Sequence, residues 1–426
     1  MKAVVLAAGE GSRLRPLTLT RPKHMINVGG KPILEHCLCA LKDAGVREVI
    51  LVVHYMADVI KRYFGSGEKL GLKIEYAYQE EVTGTGNAIG AAEPLVNGNN
   101  FMLVYGDLLF TPEVAKRAFE LYLRKNPSAV LTAVPVEKTE EYGIVDVDAE
   151  GRVKRIIEKP SREESPTNLA NAGIYIFSKE IFDKAKRIKA SPRGEWEITD
   201  AIELLIKDND QVFAVTIESD EWFDVGRPWD LLDANHWVLT RAEHKVLGTV
   251  EAGASLIGPV TVAKTARVRS GAYIEGPAFI DEGCDIGPNC YIRPCTTIGK
   301  GARIGNACEI KNSIIMDWTH IGHLSYVGDS VIGENCNLGA GTITANYRFD
   351  AGSVKMLVKD KLMDSGRRKL GAVLGDNVKT GINALFMPGV KVGNNCWIGP
   401  NVVIYRDLHP NTAVFLKQNV EERKLV

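Results

Sequence analysis

The sequence predicts an α/β Rossmann-like domain over residues 1–230, followed by a left-handed parallel β-helix of hexapeptide repeats over residues 250–410. Three observations carry this reading. From Leu256, aliphatic residues recur at a strict spacing of six, through Val262, Val268, Ile274, Ile280, Ile286, Ile292, Ile298, Ile304 and Ile310. Four residues after most of them sits a small residue, at Ala266, Ala272, Ala278, Cys284, Cys290, Thr296, Ala302 and Cys308. Upstream, apolar strands alternate with amphipathic helices. A period of six fits neither a helix nor an alternating strand. It fits a coil of three flat sides, with the aliphatic residue inside the prism and the small residue at the corner.

A chain of 426 residues is long enough for two domains with separate cores. Hydrophobic residues at 45% and charged residues at 25% place it among soluble globular proteins. The net charge of −1 supplies no whole-protein field for nucleic acid or an anionic membrane, so neither is expected as a partner. No apolar run approaches the ~20 residues of a membrane span. MKAVVLAAGEGSR runs quickly into Gly and Arg, so it reads as a buried first strand rather than a signal peptide. Among the eight cysteines, Cys284, Cys290, Cys308, Cys336 and Cys396 fill small-residue slots of the repeat, and no CxxC pair occurs. They read as small buried apolar side chains rather than disulfide or zinc cysteines. A cytoplasmic protein is expected.

In chain order, KAVVLAA is a strand leading into a glycine-rich turn. PILEHCLCALKDAG carries Ile33, Leu34, Cys37, Leu38 and Leu41 along one helical stripe. VREVILVV and FMLVYGD are further buried strands. This βαβ alternation predicts a largely parallel sheet with helices on both faces, and ligands beyond the C-terminal strand ends. Residues 229–247 lack Gly and Pro and read as helical, and 231–249 is the expected linker. The six-residue clock stumbles at 311–330 and resumes at Ile332 and Leu338. It is then interrupted by the charged insertion DAGSVKMLVKDKLMDSGRRK and runs again at Phe386, Val392, Ile398 and Ile404. Loops projecting from a solenoid are where sites are usually built. Residues 411–426 form a tail that could cap the open end.

After the first strand comes Leu6-Ala7-Ala8-Gly9-Glu10-Gly11-Ser12-Arg13-Leu14, then Pro22-Lys23. Leu14 stands where a dinucleotide fingerprint wants its third small residue, which argues against NAD. Arg13 and Lys23 favour a triphosphate, because glycine-turn N–H groups cradle phosphate oxygens and fixed cations neutralise the charge of phosphoryl transfer. The stretch LAAGEGSRLRPLTLTRPK resembles the signature of the sugar-1-phosphate nucleotidylyltransferases. That resemblance implies nucleotide binding by Gly9, Gly11, Gln79, Gly84 and Thr85, with Gln79 reading a pyrimidine. It also implies catalytic cations at Arg13 and Lys23 and sugar-phosphate binding by Gly143, Glu158, Lys159 and Asn171. Tyr105-Gly106-Asp107 and Trp222-Phe223-Asp224-Val225-Gly226 resemble the segments supplying two metal carboxylates, Asp107 and Asp224. Two acidic groups suit Mg²⁺, a hard ion that keeps waters and bridges phosphates.

In the second half, Gly322-His323-Leu324-Ser325-Tyr326-Val327-Gly328-Asp329 and the segment Asn337 to Tyr347 are similar to the acetyltransferase half of bifunctional enzymes of UDP-N-acetylglucosamine synthesis. Acetyl transfer to an amine needs a base for the amine proton, a task suited to a histidine, here His323. The tetrahedral oxyanion needs an N–H donor, which the resemblance assigns to the backbone at Ala340. It likewise implies acceptor binding by Arg293, Lys311, Tyr326, Asn337, Asn346, Tyr347 and, by a looser match, Lys355. His320 has no such match and reads as structural. Arg367, Arg368 and Lys369 leave two readings open, coenzyme A phosphates or a solvated basic face.

The N-terminal signature is nearer to thymidylyltransferases, and Asp224 replaces the asparagine usual in bacterial bifunctional enzymes. The chain therefore resembles the archaeal hybrids, with UTP or dTTP and acetyl-CoA as expected co-substrates. A homotrimer or a dimer of trimers is implied, since exposed solenoid sides can pack on one another. The alternative is a monofunctional glucose-1-phosphate thymidylyl- or uridylyltransferase carrying a noncatalytic β-helix.

Overall fold

The structure, a computed structural model, describes residues 1–98, 100–191 and 194–425. Contacts divide the chain into two compact units. One comprises Met1–Glu10, Arg21–Met25 and Pro32–Val225; the other comprises Gly11–Thr20, Ile26–Lys31 and the chain from Gly226 onward.

The first unit is built on a nine-stranded sheet. Side chains alternate across its first strand, Lys2–Ala7, because successive Cβ atoms of a strand point to opposite faces. Ala3, Val5 and Ala7 enter a core with Leu34, Cys37, Leu38 and Leu41 of helix Ile33–Asp43. Val4 and Leu6 enter another with Ala88 and Ile89 of helix Thr85–Ala92. Helices thus cover both faces, as expected. The parallel pairings are the run Lys73–Tyr78, Glu48–Val53, Lys2–Ala7 and Asn100–Tyr105, in that order, and the separate pair Val212–Thr216 with Ala129–Pro135.

The rest of the sheet departs from the largely parallel expectation. Leu169–Ser178 runs antiparallel to Asn100–Tyr105 and to Ala129–Pro135. Gly143–Val147 and Val153–Glu158 form an antiparallel pair joined by the tight turn at Asp148 and Gly151. A parallel pair needs a crossover connection of a dozen or more residues, which that turn cannot supply.

The second unit is a parallel β-helix whose three sheets hold nine, eight and seven strands. Arg267, Asp285 and Arg303 stack on successive coils, 18 residues apart. Ile274, Ile280, Ile286, Ile292, Ile298, Ile304 and Ile310 are all fully buried in the prism. The five repeat cysteines are buried as expected. Most donate Sγ–H to a carbonyl of the next coil, as Cys284 does to Gly299 O at 3.0 Å and Cys336 to Gly375 O at 3.2 Å. Corners that require a left-handed backbone are mostly filled by asparagine or glycine, which tolerate that conformation. The asparagine side chains bond to one another along the stack, as from Asn377 to Asn395 and on to Asn411.

The stumble at 311–330 is not a break in stacking. Arg303, His320 and Asn337 lie on successive coils 17 residues apart, and Ile298, Ile315 and Ile332 remain stacked in one sheet. One side of each of these coils is a residue shorter, and its corner is taken by Asn312 and then Asp329, both with positive φ. The insertion is a true excursion. It carries the antiparallel hairpin Lys355–Val358 with Lys361–Asp364, whose Met356 and Val358 are buried.

Helix Asp230–Arg241 is shorter than the 229–247 expectation, because Val246 already pairs with Val262 as the start of the β-helix. Its buried Asn235 donates to Cys295 O at 2.9 Å and accepts from Thr297 Oγ1 at 2.6 Å and Gly29 N at 2.8 Å. At the other end, Ala413–Val414 adds a last strand on Trp397–Ile398. Residues 416–425 are exposed and form no strand, and Val426 lies outside the described residues. Among the described residues, no helix is long and apolar enough to cross a membrane.

Candidate active sites

In the first unit, the strand ends converge on a cavity of about 240 Å³. Gly9, Lys23, Gln79, Gly84, Thr85 and Asp107 line it together. Gln79 is 2% exposed, and its amide donates to Glu81 O at 3.0 Å and Asn87 Oδ1 at 3.2 Å. Gly84 has φ +128° with the Trp196 backbone packed where a Cβ would be, so no side chain fits that turn. Thr85 Oγ1 accepts from Ile198 N at 2.9 Å, which ties the loop to helix Ile198–Lys207.

The Lys23 ammonium is paired directly with the Asp107 carboxylate. Burial pulls the Asp107 pKa up most strongly of any single influence, but the Lys23 charge and hydrogen bond, together with His24 and a backbone donor, outweigh it and hold the group below the usual carboxylate value. Asp224 sits on the short strand Trp222–Asp224, in register with Leu108, and Val225 N reaches Asp107 O at 3.4 Å. Asp107 lines the cavity, while Asp224 stands on the neighbouring strand and is not among the lining residues. Hard oxygen donors of this kind fit Mg²⁺, with phosphate and water oxygens supplying further ligands.

A second group of expected residues adjoins these strands. Asn171 Nδ2 donates to Tyr175 Oη at 2.5 Å, and Tyr175 Oη donates to Tyr105 Oη at 3.1 Å. Glu158 accepts from Thr199 Oγ1 at 3.1 Å, and the absent side chain of Gly143 leaves the Glu158 carboxylate room. Lys159 follows with φ +47° and its ammonium 3.9 Å from Glu158. Gly11 and exposed Arg13 fall in the other compact unit, outside the residues lining this cavity. Sequence reasoning missed His24. It is 2% exposed, its Nδ1 has no hydrogen-bond partner, and burial reinforced by the Lys23 charge lowers its pKa to about 3. Its position beside Lys23 was the one available signal.

In the β-helix, Asp329 is the centre of a network. Its buried carboxylate accepts from Lys311 Nζ at 2.9 Å, Asn312 Nδ2 at 2.7 Å and Asn346 Nδ2 at 2.6 Å. Asn346 also donates to Tyr326 Oη at 3.0 Å, which joins three expected acceptor residues to one hub. Arg293 pairs with Glu309 at 2.9 Å and shares a cavity wall with Lys311. Asp329 stood in the quoted motif but was given no role; the short-sided coils that make it a corner residue are visible only once the strands are stacked.

Exposed His323 closes the strand His320–His323, and its carbonyl accepts from Ser325 Oγ at 2.8 Å and Gly341 N at 3.3 Å. This brings the Ala340–Gly341 backbone beside it, while Ala340 O accepts from Asn383 N at 2.8 Å. The remaining expected residues are more dispersed. Asn337 is exposed on the next coil, Tyr347 pairs through its backbone with Lys369, and Lys355 is exposed at the start of the hairpin.

A strand-end cavity in one unit and a hexapeptide β-helix with its own polar network in the other fit a two-site transferase. Residues 2–241 match the nucleotidyl transferase family, 274–385 match the GMPPB C-terminal domain, and 371–406 match the bacterial transferase hexapeptide repeats. The chain is 44% identical to the bifunctional protein GlmU of Methanocaldococcus jannaschii over all of both chains. It is 42% identical to a bifunctional sugar-1-phosphate nucleotidylyltransferase/acetyltransferase of Sulfurisphaera tokodaii, over 96% of this chain and 98% of that one. A solved UDP-glucose pyrophosphorylase complexed with UDP-glucose superposes on 57% of this chain and 99% of its own, with TM-score 0.52 and 25% identity. The chain belongs to the family of bifunctional sugar-1-phosphate nucleotidylyltransferase/acetyltransferases.

Proposed function

We propose that the β-helix transfers acetyl from acetyl-CoA to glucosamine 1-phosphate, and that the N-terminal domain then couples N-acetylglucosamine 1-phosphate to UTP, releasing pyrophosphate. The observation that carries this reading is the network on Asp329. An inert scaffold has no need to gather Lys311, Asn346 and Tyr326 around one buried carboxylate.

In the acetyl step, Arg293 and Lys311 hold the sugar phosphate while Tyr326, Asn337, Asn346 and Tyr347 hold the sugar. His323 takes the proton from the attacking amine, and the backbone N–H at Ala340 stabilises the tetrahedral oxyanion. Collapse of that intermediate expels coenzyme A as its thiolate. In the second step, a phosphate oxygen of the sugar phosphate attacks the α-phosphorus in line. Gln79, Gly84 and Thr85 hold the pyrimidine, and Gly143, Glu158, Lys159 and Asn171 hold the sugar phosphate. Arg13 and Lys23 offset the negative charge that develops on the leaving pyrophosphate. Asp107 and Asp224 would hold Mg²⁺, which would supply Lewis-acid stabilisation of phosphate charge. Gln79 suits UTP and dTTP alike. The paired sites are assigned to the cytoplasm, in a homotrimer that can further pair.

The test is coenzyme A release from acetyl-CoA with glucosamine 1-phosphate, for wild type and His323→Ala side by side. Release by wild type is expected to fall roughly 10²–10⁴-fold in the variant, the scale of a lost general base. No release by either protein would leave a monofunctional nucleotidylyltransferase with a noncatalytic β-helix.

A further inference from the structure

The insertion is an excursion that coil stacking does not explain, and it places a third cation in the acceptor region. A cavity of about 420 Å³ opens on the β-helix, lined by Arg293, Lys311, Cys295 and, from outside the repeat, Arg367, Asp233 and His236. Its size falls in the range of small-molecule pockets, about 300–1,000 Å³. Arg367 comes from the insertion, and Asp233 and His236 come from helix Asp230–Arg241.

Each cation has a carboxylate partner, but the three partners differ in burial. Lys311 is held by Asp329, whose side chain is 3% exposed, and Arg293 by Glu309 at 35%. Arg367 is paired through one Nη1 with Asp233, whose side chain is 49% exposed. An exposed pair contributes little, so its carboxylate is the readily exchanged one. A guanidinium has five N–H donors; in Arg367 Nη1 meets Asp233 and Nε donates to Lys369 O at 3.4 Å, and once Asp233 is exchanged the Nη1 and Nη2 edge matches phosphate oxygens bidentately.

We propose that Arg367 is a specificity-determining residue of the acetyl-acceptor site, completing with Arg293 and Lys311 a three-cation pocket for a phosphomonoester dianion. The inference rests on the acetyl-transfer reading, but the pocket can be tested without it. In this pocket Arg367 leaves Asp233 for the ligand phosphate, and the sugar lies toward the Lys311, Asn346 and Tyr326 network. The insertion thus supplies a ligand contact where a plain solenoid would offer two cations. A non-phosphorylated amino sugar does not draw Arg367 away from Asp233 and is the poorer acceptor.

The pocket contains its own reporter. Cys295 lines it, partly exposed, with Sγ 3.0 Å from His236 Nδ1. Alkylation of Cys295 by iodoacetamide, read by peptide mass spectrometry on the full-length protein, is measured against rising inorganic phosphate or glucosamine 1-phosphate. Both anions are expected to slow labelling of wild type. Arg367→Ala is expected to need roughly 10–100-fold more of either for the same protection, the scale of a lost charge-assisted contact. In acetyl transfer, the KM for glucosamine 1-phosphate should rise by a similar factor with kcat within about 3-fold. Arg367→Lys should recover part of the loss.

Asp233→Asn separates ligand binding from a structural bridge. It breaks the same ion pair but leaves the guanidinium, so protection should come at equal or lower anion concentration. Equal weakening in Asp233→Asn and Arg367→Ala would overturn the proposal, as would unchanged protection in Arg367→Ala. Absence of acetyl transfer in wild type, with phosphate protection intact and dependent on Arg367, would instead overturn the acetyl-transfer reading and leave the anion pocket standing.

Discussion

Each half of the chain holds one lysine–aspartate pair at its candidate site, and the two pairs differ in how completely the carboxylate is satisfied. Asp107 meets Lys23 beside a cavity, with side-chain exposures of 15% and 21%. Asp329 meets Lys311, Asn312 and Asn346 at once and is 3% exposed. A carboxylate offers about four acceptor sites, so three donors leave Asp329 little to give a ligand. Asp107 faces an open cavity and can exchange its ammonium partner for a cation and phosphate. On the proposed function, the same pair of residue types is a positioning device in one domain and a reactive-site group in the other. The difference is made by neighbours rather than by the pair.

The contrast breaks first at Asp107. Asp107→Ala is expected to lower pyrophosphate release roughly 10³-fold, the scale of losing a preorganised electrostatic group, with acetyl transfer retained. Loss of both activities in a protein of unchanged thermal midpoint would end the picture of independent sites. Asp329→Ala should act on folding, because it leaves Lys311 with no counter-charge, removes the Asn312 acceptor and leaves Asn346 with Tyr326 Oη alone. Breaking a buried pair costs about 3–5 kcal/mol, so urea melts should show a large loss where Asp107→Ala shows a small one. Equal losses in the two variants would erase the distinction.

Phe386→Ala sharpens the comparison from the side of the scaffold. It empties a fully buried position of the prism and should cost about 3–5 kcal/mol with no residue of either site touched. Nucleotidyl transfer below the melting temperature should be unaffected. The smallest effect concerns Asp285, which is bonded by Arg269 through Nε and Nη2 at 2.6 Å each. The Arg269 bond holds the Asp285 pKa below its usual value, so the folded state favours the charged form. That contribution is present above the unfolded value of about 3.9 and is lost as pH falls through the lower folded value. Asp285→Asn should cost up to ~1 kcal/mol at neutral pH, and the difference from wild type should shrink below about pH 4.

The two halves were legible in opposite ways. The β-helix declared its fold through its six-residue period, yet its candidate site lies where the coil shortens from 18 to 17 residues and puts Asn312 and Asp329 at corners. A sequence reader sees a stumble there, because register between distant coils is not written in any one of them. In the α/β domain, Gly9, Lys23, Gln79 and Asp107 were readable from motifs and do line one cavity, whereas Gly11 and Arg13 of the same motif do not. His24 was not readable, since a histidine becomes a desolvated, unbonded group only through what packs around it. The antiparallel half of the sheet was missed because periodicity reports burial and not strand direction.

By itself the sequence determined the local and periodic features. These are the prism and its small-residue corners, the strands and helices of the first domain, and the order of motifs along the chain. Each follows from side-chain size, apolar spacing and backbone freedom within a few residues. Only the tertiary structure decided which polar groups meet. Lys311, Asn312 and Asn346 find Asp329 across stacked coils, and the insertion returns Arg367 to a wall it shares with Arg293. Electrostatic and hydrogen-bond energies depend on distance and burial in three dimensions, and neither is a property of sequence separation.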